Sequence, residues 1–170
     1  MRWSNQGQLP PFVGRRDDLA VLEDSWAAVV AGSGRAVFVG GEPGAGKSRL
    51  VAEAAHALYD KQATVLLGSC VAELGAPYEP FDEPVRALLP AIRQGQIPVE
   101  DWGASGDRPP LDLLATVAGR GDAEPAAAER GHRRAVNDAV TAAFGGAAAQ
   151  APLLLVLEDL HWAGPRRCSC

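Results

Sequence analysis

The 170-residue sequence is poor in cysteine, and this scarcity excludes several classes of protein. Two of its three cysteines, Cys168 and Cys170, lie among the last three residues, and the spacing fits neither a disulfide framework nor a zinc site. No apolar run approaches the roughly 20 residues that span a bilayer. The polar start lacks the apolar core of a secretory signal. We therefore expect a cytoplasmic protein without a membrane partner.

Lysine is also scarce, since Lys47 and Lys61 are the only lysines among the 16 basic residues, and the 21 acidic residues give a formal net charge of −5 at pH 7. This balance argues against a nucleic-acid-binding surface spread over the chain, so we expect no direct nucleic-acid binding. Hydrophobic residues make up 47% and charged residues 22%, which is ordinary globular composition. The length suggests one domain, or one domain plus a fragment.

Short apolar runs alternate with amphipathic segments along the chain. We predict buried strands over residues 35–40, 63–67 and 153–157. We predict helices over residues 15–31, 47–59, 81–93, 111–117 and 129–149, with Pro90 ending or kinking its helix. Apolar strands separated by helices indicate an α/β fold with a parallel sheet flanked by helices.

Residues 41–48 read GEPGAGKS and fit the phosphate-binding P-loop pattern, also called Walker A. Glycines allow successive backbone N–H groups to face an anion, and the following helix adds its N-terminal dipole. Lys47 is expected to neutralise phosphate charge, and the Ser48 hydroxyl to ligate Mg²⁺. A chance glycine-rich turn is the alternative, but an apolar run before the loop and a helical pattern after it favour a nucleotide site.

Two acids, Glu158 and Asp159, end the last predicted strand. In P-loop NTPases an acid at such a tip holds Mg²⁺, as in the Walker B motif, and a neighbouring acid can orient the attacking water. Acids after strands also commonly cap helices or face solvent. We expect Glu158 to hold magnesium and Asp159 to act on water, with the reverse assignment left open.

Four segments, in this order and spacing, resemble one family: FVGR at 12–15, the P-loop, GSCVAELGAPYEPFDEPVRAL at 68–88 and LLLVLEDLHWA at 153–163. The chain resembles the N-terminal AAA/STAND-type ATPase module of large bacterial LuxR-type transcriptional regulators, over roughly residues 11–163. The resemblance implies a signal-controlled ATP switch. It also implies that the FVGR segment lies near the adenine, whereas packing of this arm on the core is an equal alternative.

The expected nucleotide contacts combine the FVGR segment and the P-loop. They are Phe12, Val13, Gly14, Arg15, Gly41, Glu42, Pro43, Gly44, Ala45, Gly46, Lys47, Ser48 and Arg49, with ATP and Mg²⁺ as cofactors. Ser48 and Glu158 are the expected magnesium ligands.

The sequence departs from the family pattern at Gly164, where the resemblance implies an acid. The expected lid, winged helix and DNA-binding segments are absent. Codons for residues 164–170, read in another frame, can encode a family-like continuation, which suggests a frameshift. We therefore divide the chain into an N-terminal arm (1–13), a partial ATPase domain (14–163) and an out-of-frame tail (164–170).

Three functions compete at this point. The first is the ATP·Mg²⁺-binding module of a transcriptional regulator, truncated and with little turnover. The second is a small-molecule P-loop kinase, which needs an acceptor pocket and a cationic lid that we do not find. The third is a non-enzymatic nucleotide-binding remnant. An incomplete sheet also predicts self-association through an exposed strand edge.

Overall fold

The computed structural model describes residues 12–71, 78–99, 110–119 and 130–162. It has an α/β fold with a small parallel sheet flanked by helices, as predicted. The chain divides into two compact units, Met1–Val65 and Leu66–Cys170. Each unit is described separately below.

The first unit contains two helices, α1 at Arg16–Val30 and α2 at Lys47–Tyr59, which pack against each other. Both follow the predicted apolar periodicity. At the end of α1, Gly32 adopts φ +90°, and the N–H groups of Gly32 and Ser33 donate to the carbonyls of Val29 and Ala28. This is a Schellman ending, which satisfies carbonyls of the last turn and requires a residue that tolerates positive φ.

The sheet contains two strands, β1 at Thr64–Ser69 and β2 at Leu153–Glu158. The two corresponding apolar runs of the sequence predicted them, although β1 begins and ends slightly later than expected. Just beyond β1, the N–H of Cys70 donates to the carbonyl of Glu158 at 3.2 Å. The carboxyl ends of the two strands therefore lie side by side.

The predicted strand over residues 35–40 is absent from the structure, so this prediction was wrong. The segment has no regular secondary structure, and Phe38 is 87% exposed. An apolar, β-rich run becomes a strand only where a neighbouring strand takes up its backbone hydrogen bonds. Within the described residues the sheet comprises β1 and β2, and residues 35–40 have no place in that ladder.

Three helices of the second unit, α3 at Glu79–Arg93, α4 at Pro110–Ala118 and α5 at Arg130–Gln150, pack on one another. α3 also packs against β2. Their apolar faces form one core, in which Val85 and Leu114 are completely buried. The other large buried members of this core are Leu66, Leu88, Leu89, Ile97, Leu113, Val117, Val136 and Val140.

Two prolines, Pro80 and Pro90, lie near the ends of α3. It begins at Glu79, two residues earlier than predicted, because Pro80 fits a first helical turn. It ends at Arg93, as predicted, and continues through Pro90, so of the two expectations for Pro90 the helix end is wrong. The buried neighbours Leu88 and Leu89 hold this turn in the core, and that packing outweighs the local cost of the proline.

Several predictions lie outside the described residues. They concern residues 1–11 of the N-terminal arm, the loop at 72–77 and the tail at 164–170. Over the described ranges, none of the helices combines the length and the hydrophobicity that a membrane-spanning helix needs.

Candidate functional site

The P-loop combines a turn rich in glycine with the start of α2. Gly44 and Gly46 adopt φ +79° and +75°, a left-handed conformation that residues with a Cβ rarely occupy. The Ala45 N–H donates to the Glu42 carbonyl at 3.2 Å, which closes a turn inside the loop. Gly46 is the N-cap of α2, and its carbonyl accepts the Leu50 N–H. Gly44 and Gly46 therefore adopt backbone angles that favour glycine, and Gly46 is one of the two glycines that the motif fixes.

Lys47 is held by the loop that precedes it. Its Nζ donates to the carbonyls of Gly41 and Glu42, both at 2.9 Å. These two bonds hold the ammonium group beside the loop at the start of α2. The dipole of α2 favours an anion at this helix start, and the positive charge of Lys47 adds to that attraction. Ser48 is exposed at the same helix start. Both side chains therefore lie in the first turn of α2, directly after the glycine-rich loop.

Arg49, the last expected nucleotide contact of the loop, is engaged along α2. Its Nη2 forms an ion pair with Oε1 of Glu53 at 2.5 Å, one turn further on. If Arg49 contacts the nucleotide, its guanidinium must either leave Glu53 or bind Glu53 and the nucleotide at the same time.

The FVGR segment leads into α1. Gly14 adopts φ +84°, Arg15 is the N-cap residue, and the Arg15 Nε lies 3.7 Å from Asp18 Oδ2. Phe12 is half-buried, whereas Val13 is 79% exposed. Packing of this arm on the core is therefore wrong for Val13.

The acidic tip of β2 consists of Glu158 and Asp159. Glu158 is half-buried, and its carbonyl accepts the Cys70 N–H. Asp159 is exposed and adopts φ +57°, and its carbonyl accepts the Trp162 N–H at 2.9 Å. A left-handed aspartate is uncommon, and such residues concentrate at functional sites. A short 3₁₀ turn, Leu160–Trp162, follows the strand, and Asp159 is exposed to solvent.

Cys70 lies buried next to this tip, as expected for a small apolar residue. Burial raises the pKa of its thiol, and the charges of Glu79 and Asp159 raise it further. The thiol is therefore protonated at neutral pH, which argues against a reactive nucleophile.

Sequence reasoning missed Glu79. Its Oε1 accepts the Val71 N–H at 3.0 Å, so it joins the first turn of α3 to the end of β1. An acid in a first helical turn is favoured by the helix dipole, but nothing local in the sequence indicates the contact with Val71.

The oxygen donors of the expected site suit magnesium. A hydroxyl at Ser48 and carboxylates at Glu158 and Asp159 are the hard ligands that Mg²⁺ prefers. Mg²⁺ retains several waters and needs one or two protein ligands beside phosphate oxygens. Over the ranges that the structure describes, no three His, Cys, Asp or Glu side chains cluster as a metal site would need.

Comparison with known proteins gives a family match over most of the chain. The AAA ATPase domain family matches residues 11–167. The uncharacterized protein R02095 of Rhizobium meliloti (strain 1021) is 26% identical over 173 residues, an alignment that covers 91% of this chain. The chain spans only 16% of that relative's length. No solved structure matches.

Proposed function

The chain belongs to the AAA ATPase domain family, and from this premise we propose that it binds ATP together with Mg²⁺. In this proposal the P-loop binds the phosphates, Lys47 neutralises their charge and the Ser48 hydroxyl ligates the metal. The FVGR segment contributes to binding the base.

The single observation that supports this proposal best is the anchored Lys47. Its Nζ is bound to two carbonyls of the glycine-rich loop, and the loop glycines have the angles that a phosphate nest uses. A chance glycine-rich turn has no reason to combine these backbone angles with a lysine bound in this way.

Calorimetric titration with ATP in the presence of Mg²⁺ tests the proposal. Lys47→Ala is expected to weaken the Kd at least about tenfold, or ~1.4 kcal/mol, because a charge-assisted contact to phosphate is lost. Lys61→Ala is the matched control, since Lys61 is the only other lysine and is exposed beyond α2. Equal affinities of the two variants would contradict the site assignment.

The acidic tip receives two roles in this proposal. Glu158 ligates Mg²⁺ through its carboxylate or a bound water, and Asp159 orients the attacking water. In the same titration Glu158→Gln is expected to reduce the gain in affinity that Mg²⁺ confers, and Asp159→Asn to leave it intact. The opposite pattern would exchange the two roles.

We further propose that the chain is the regulatory ATPase module of a larger, LuxR-type bacterial transcriptional regulator. The order of its four motifs supports this, as does the small share of the curated relative's length that the chain spans. The tail at 164–170 is proposed to be out of frame. Genomic sequence with no regulator-like reading frame downstream would refute that part.

Turnover is proposed to be slow or negligible. An arginine supplied to the transferring phosphate is worth about 10³–10⁵ in rate in other NTPases, and we assign no arginine of residues 12–163 to that role. Hydrolysis by the purified chain at the rate of an active ATPase would overturn this. Phosphate transfer from ATP to a metabolite in a coupled assay would instead establish a kinase.

Self-association is a last part of the proposal. The exposed side chains of Val37 and Phe38 support it, because an apolar run without strand pairing favours pairing with another chain. Sedimentation of the wild type against Phe38→Lys tests it. A monomeric wild type across the accessible concentrations would exclude it.

A further inference from the structure

The segment at 68–88 is a sequence motif that ATP binding by the P-loop does not use. Its described residues connect the end of β1 to α3, beside the acidic tip of β2. Two consecutive backbone N–H groups make this connection. The Cys70 N–H donates to the Glu158 carbonyl at 3.2 Å, and the Val71 N–H donates to Glu79 Oε1 at 3.0 Å.

Glu79 is attached to a well-packed part of the second unit. Tyr78 beside it donates from its hydroxyl to the Arg133 carbonyl at 3.2 Å, and Phe81 lies against Phe144 with ring centroids 6.2 Å apart. Pro80 is buried, and its carbonyl lies directly against Gly68 of β1. The Glu79 carboxylate therefore starts from a backbone that three neighbouring contacts hold in place.

The other end of this connection is Asp159, whose backbone has little freedom. It is left-handed, its own carbonyl is bound by the Trp162 N–H, and the preceding carbonyl is bound by Cys70. If the end of β1 moves, the bond that holds Glu158 weakens. The orientation of the next peptide, and of Asp159, then changes.

We propose that Glu79 is a positioning residue for the acidic tip of β2. Its carboxylate holds the Val71 N–H, which fixes Cys70 and, through the Cys70 N–H, the Glu158 carbonyl. Glu79 itself touches neither nucleotide nor metal. This inference rests on the proposed role of Glu158 and Asp159 with ATP·Mg²⁺.

The test uses the full chain with Cys168→Ser and Cys170→Ser, so that Cys70 is the only thiol. Glu79→Ala removes the acceptor, whereas Glu79→Gln removes the charge but keeps an oxygen that can accept from Val71. Glu83→Ala is the matched control, because Glu83 is exposed one turn further along α3. Glu79→Asp, one methylene shorter, replaces the alanine variant if that variant does not fold.

The first readout needs no nucleotide. Labelling of the buried Cys70 thiol by a disulfide reagent is expected to be about fivefold faster in Glu79→Ala than in Glu79→Gln, because one hydrogen bond is lost. Both variants lack the charge of Glu79, so its effect on the thiol pKa cancels between them. Equal labelling rates would overturn the inference.

The second readout is the Mg²⁺ concentration that half-saturates ATP binding. Glu79→Ala is expected to raise it about fivefold, while Glu79→Gln and Glu83→Ala stay close to the wild type. ATP affinity without Mg²⁺ is expected to be the same in all four chains. Faster labelling with an unchanged Mg²⁺ requirement would make Glu79 a purely structural contact and overturn the inference.

These outcomes separate the inference from the proposed function. If the wild type gains no affinity from Mg²⁺, the proposed function of the tip fails and the positioning role fails with it. If Mg²⁺ raises the ATP affinity of the wild type and of Glu79→Ala equally, the proposed function stands and only the inference fails.

Discussion

Individual residues of this chain are constrained most tightly where backbones meet. Gly68 of β1 is one such residue, because a Cβ there would overlap the Pro80 carbonyl oxygen and crowd the Pro84 ring. The start of α3 can approach β1 this closely only because position 68 has no side chain. That approach also brings Glu79 within reach of Val71.

Gly68→Ala is therefore expected to destabilise the fold by about 1–3 kcal/mol, because the backbone must shift to relieve the overlap. Gly34→Ala is the control, since Gly34 faces open space and has no positive φ. Urea unfolding monitored by circular dichroism measures both. If Gly68→Ala is as stable as Gly34→Ala, the start of α3 moves away from β1 without a measurable cost in stability.

At this scale the sequence identified candidate residues that belong to a motif and missed those whose role depends on a tertiary contact. The motif spacing predicts a phosphate contact at Lys47, which stays a prediction, and the structure shows the Lys47 Nζ bound to two loop carbonyls. Glu79 could not be ranked above other acids, because its importance comes from meeting Val71. The Arg49–Glu53 pair was likewise not considered, although its four-residue spacing is a helical signal.

Among the elements, α5 contains an informative pair of adjacent glycines. Gly146 faces residues 97–98, where an added Cβ would overlap the Pro98 carbonyl and lie 3.0 Å from Ile97 Cγ2. Nothing lies within 4 Å of an added Cβ at Gly145. One glycine therefore permits close packing, and the other only weakens the helix.

Alanine at the two positions is expected to act in opposite directions. Gly145→Ala should stabilise the chain by about 0.5–1 kcal/mol through helix propensity. Gly146→Ala should destabilise it by about 1–3 kcal/mol through overpacking. Thermal unfolding of both variants measures this, and stabilisation by both would show that residues 97–98 do not pack on α5 as described.

Helices with a strong hydrophobic period were predictable from the sequence. Elements whose structure depends on a partner distant in sequence were not. α2 matches its predicted bounds, and α1, α4 and α5 agree within one residue at each end. The run at 35–40 has the composition of a strand, but composition does not supply the neighbour that a strand needs. Pro90 likewise favours a helix end or a kink, but burial of the neighbouring leucines keeps the helix continuous to Arg93.

On the scale of the whole molecule, the described core is concentrated in the second unit. Its members run from Leu66 to Ala147 and come from β1, α3, the turn after α3, α4 and α5. α1 has no buried residue. Stability is therefore unevenly distributed along the chain.

Amide hydrogen exchange is expected to follow this distribution. The slowest exchange should come from α3 and α5, whose opening exposes the core, and the fastest from α1 and residues 33–42. Mass spectrometry of peptides after timed labelling measures it. Protection of α1 equal to that of α5 would contradict the uneven distribution.

The exposed segment before the P-loop has a practical consequence. Phe38, with its side chain in solvent and its backbone free of regular structure, is a cleavage site for chymotrypsin three residues before the first glycine of the motif. Any ligand that orders the loop also slows cutting there. The rate of digestion at Phe38 thus gives a direct assay of nucleotide occupancy that requires neither a label nor catalytic turnover.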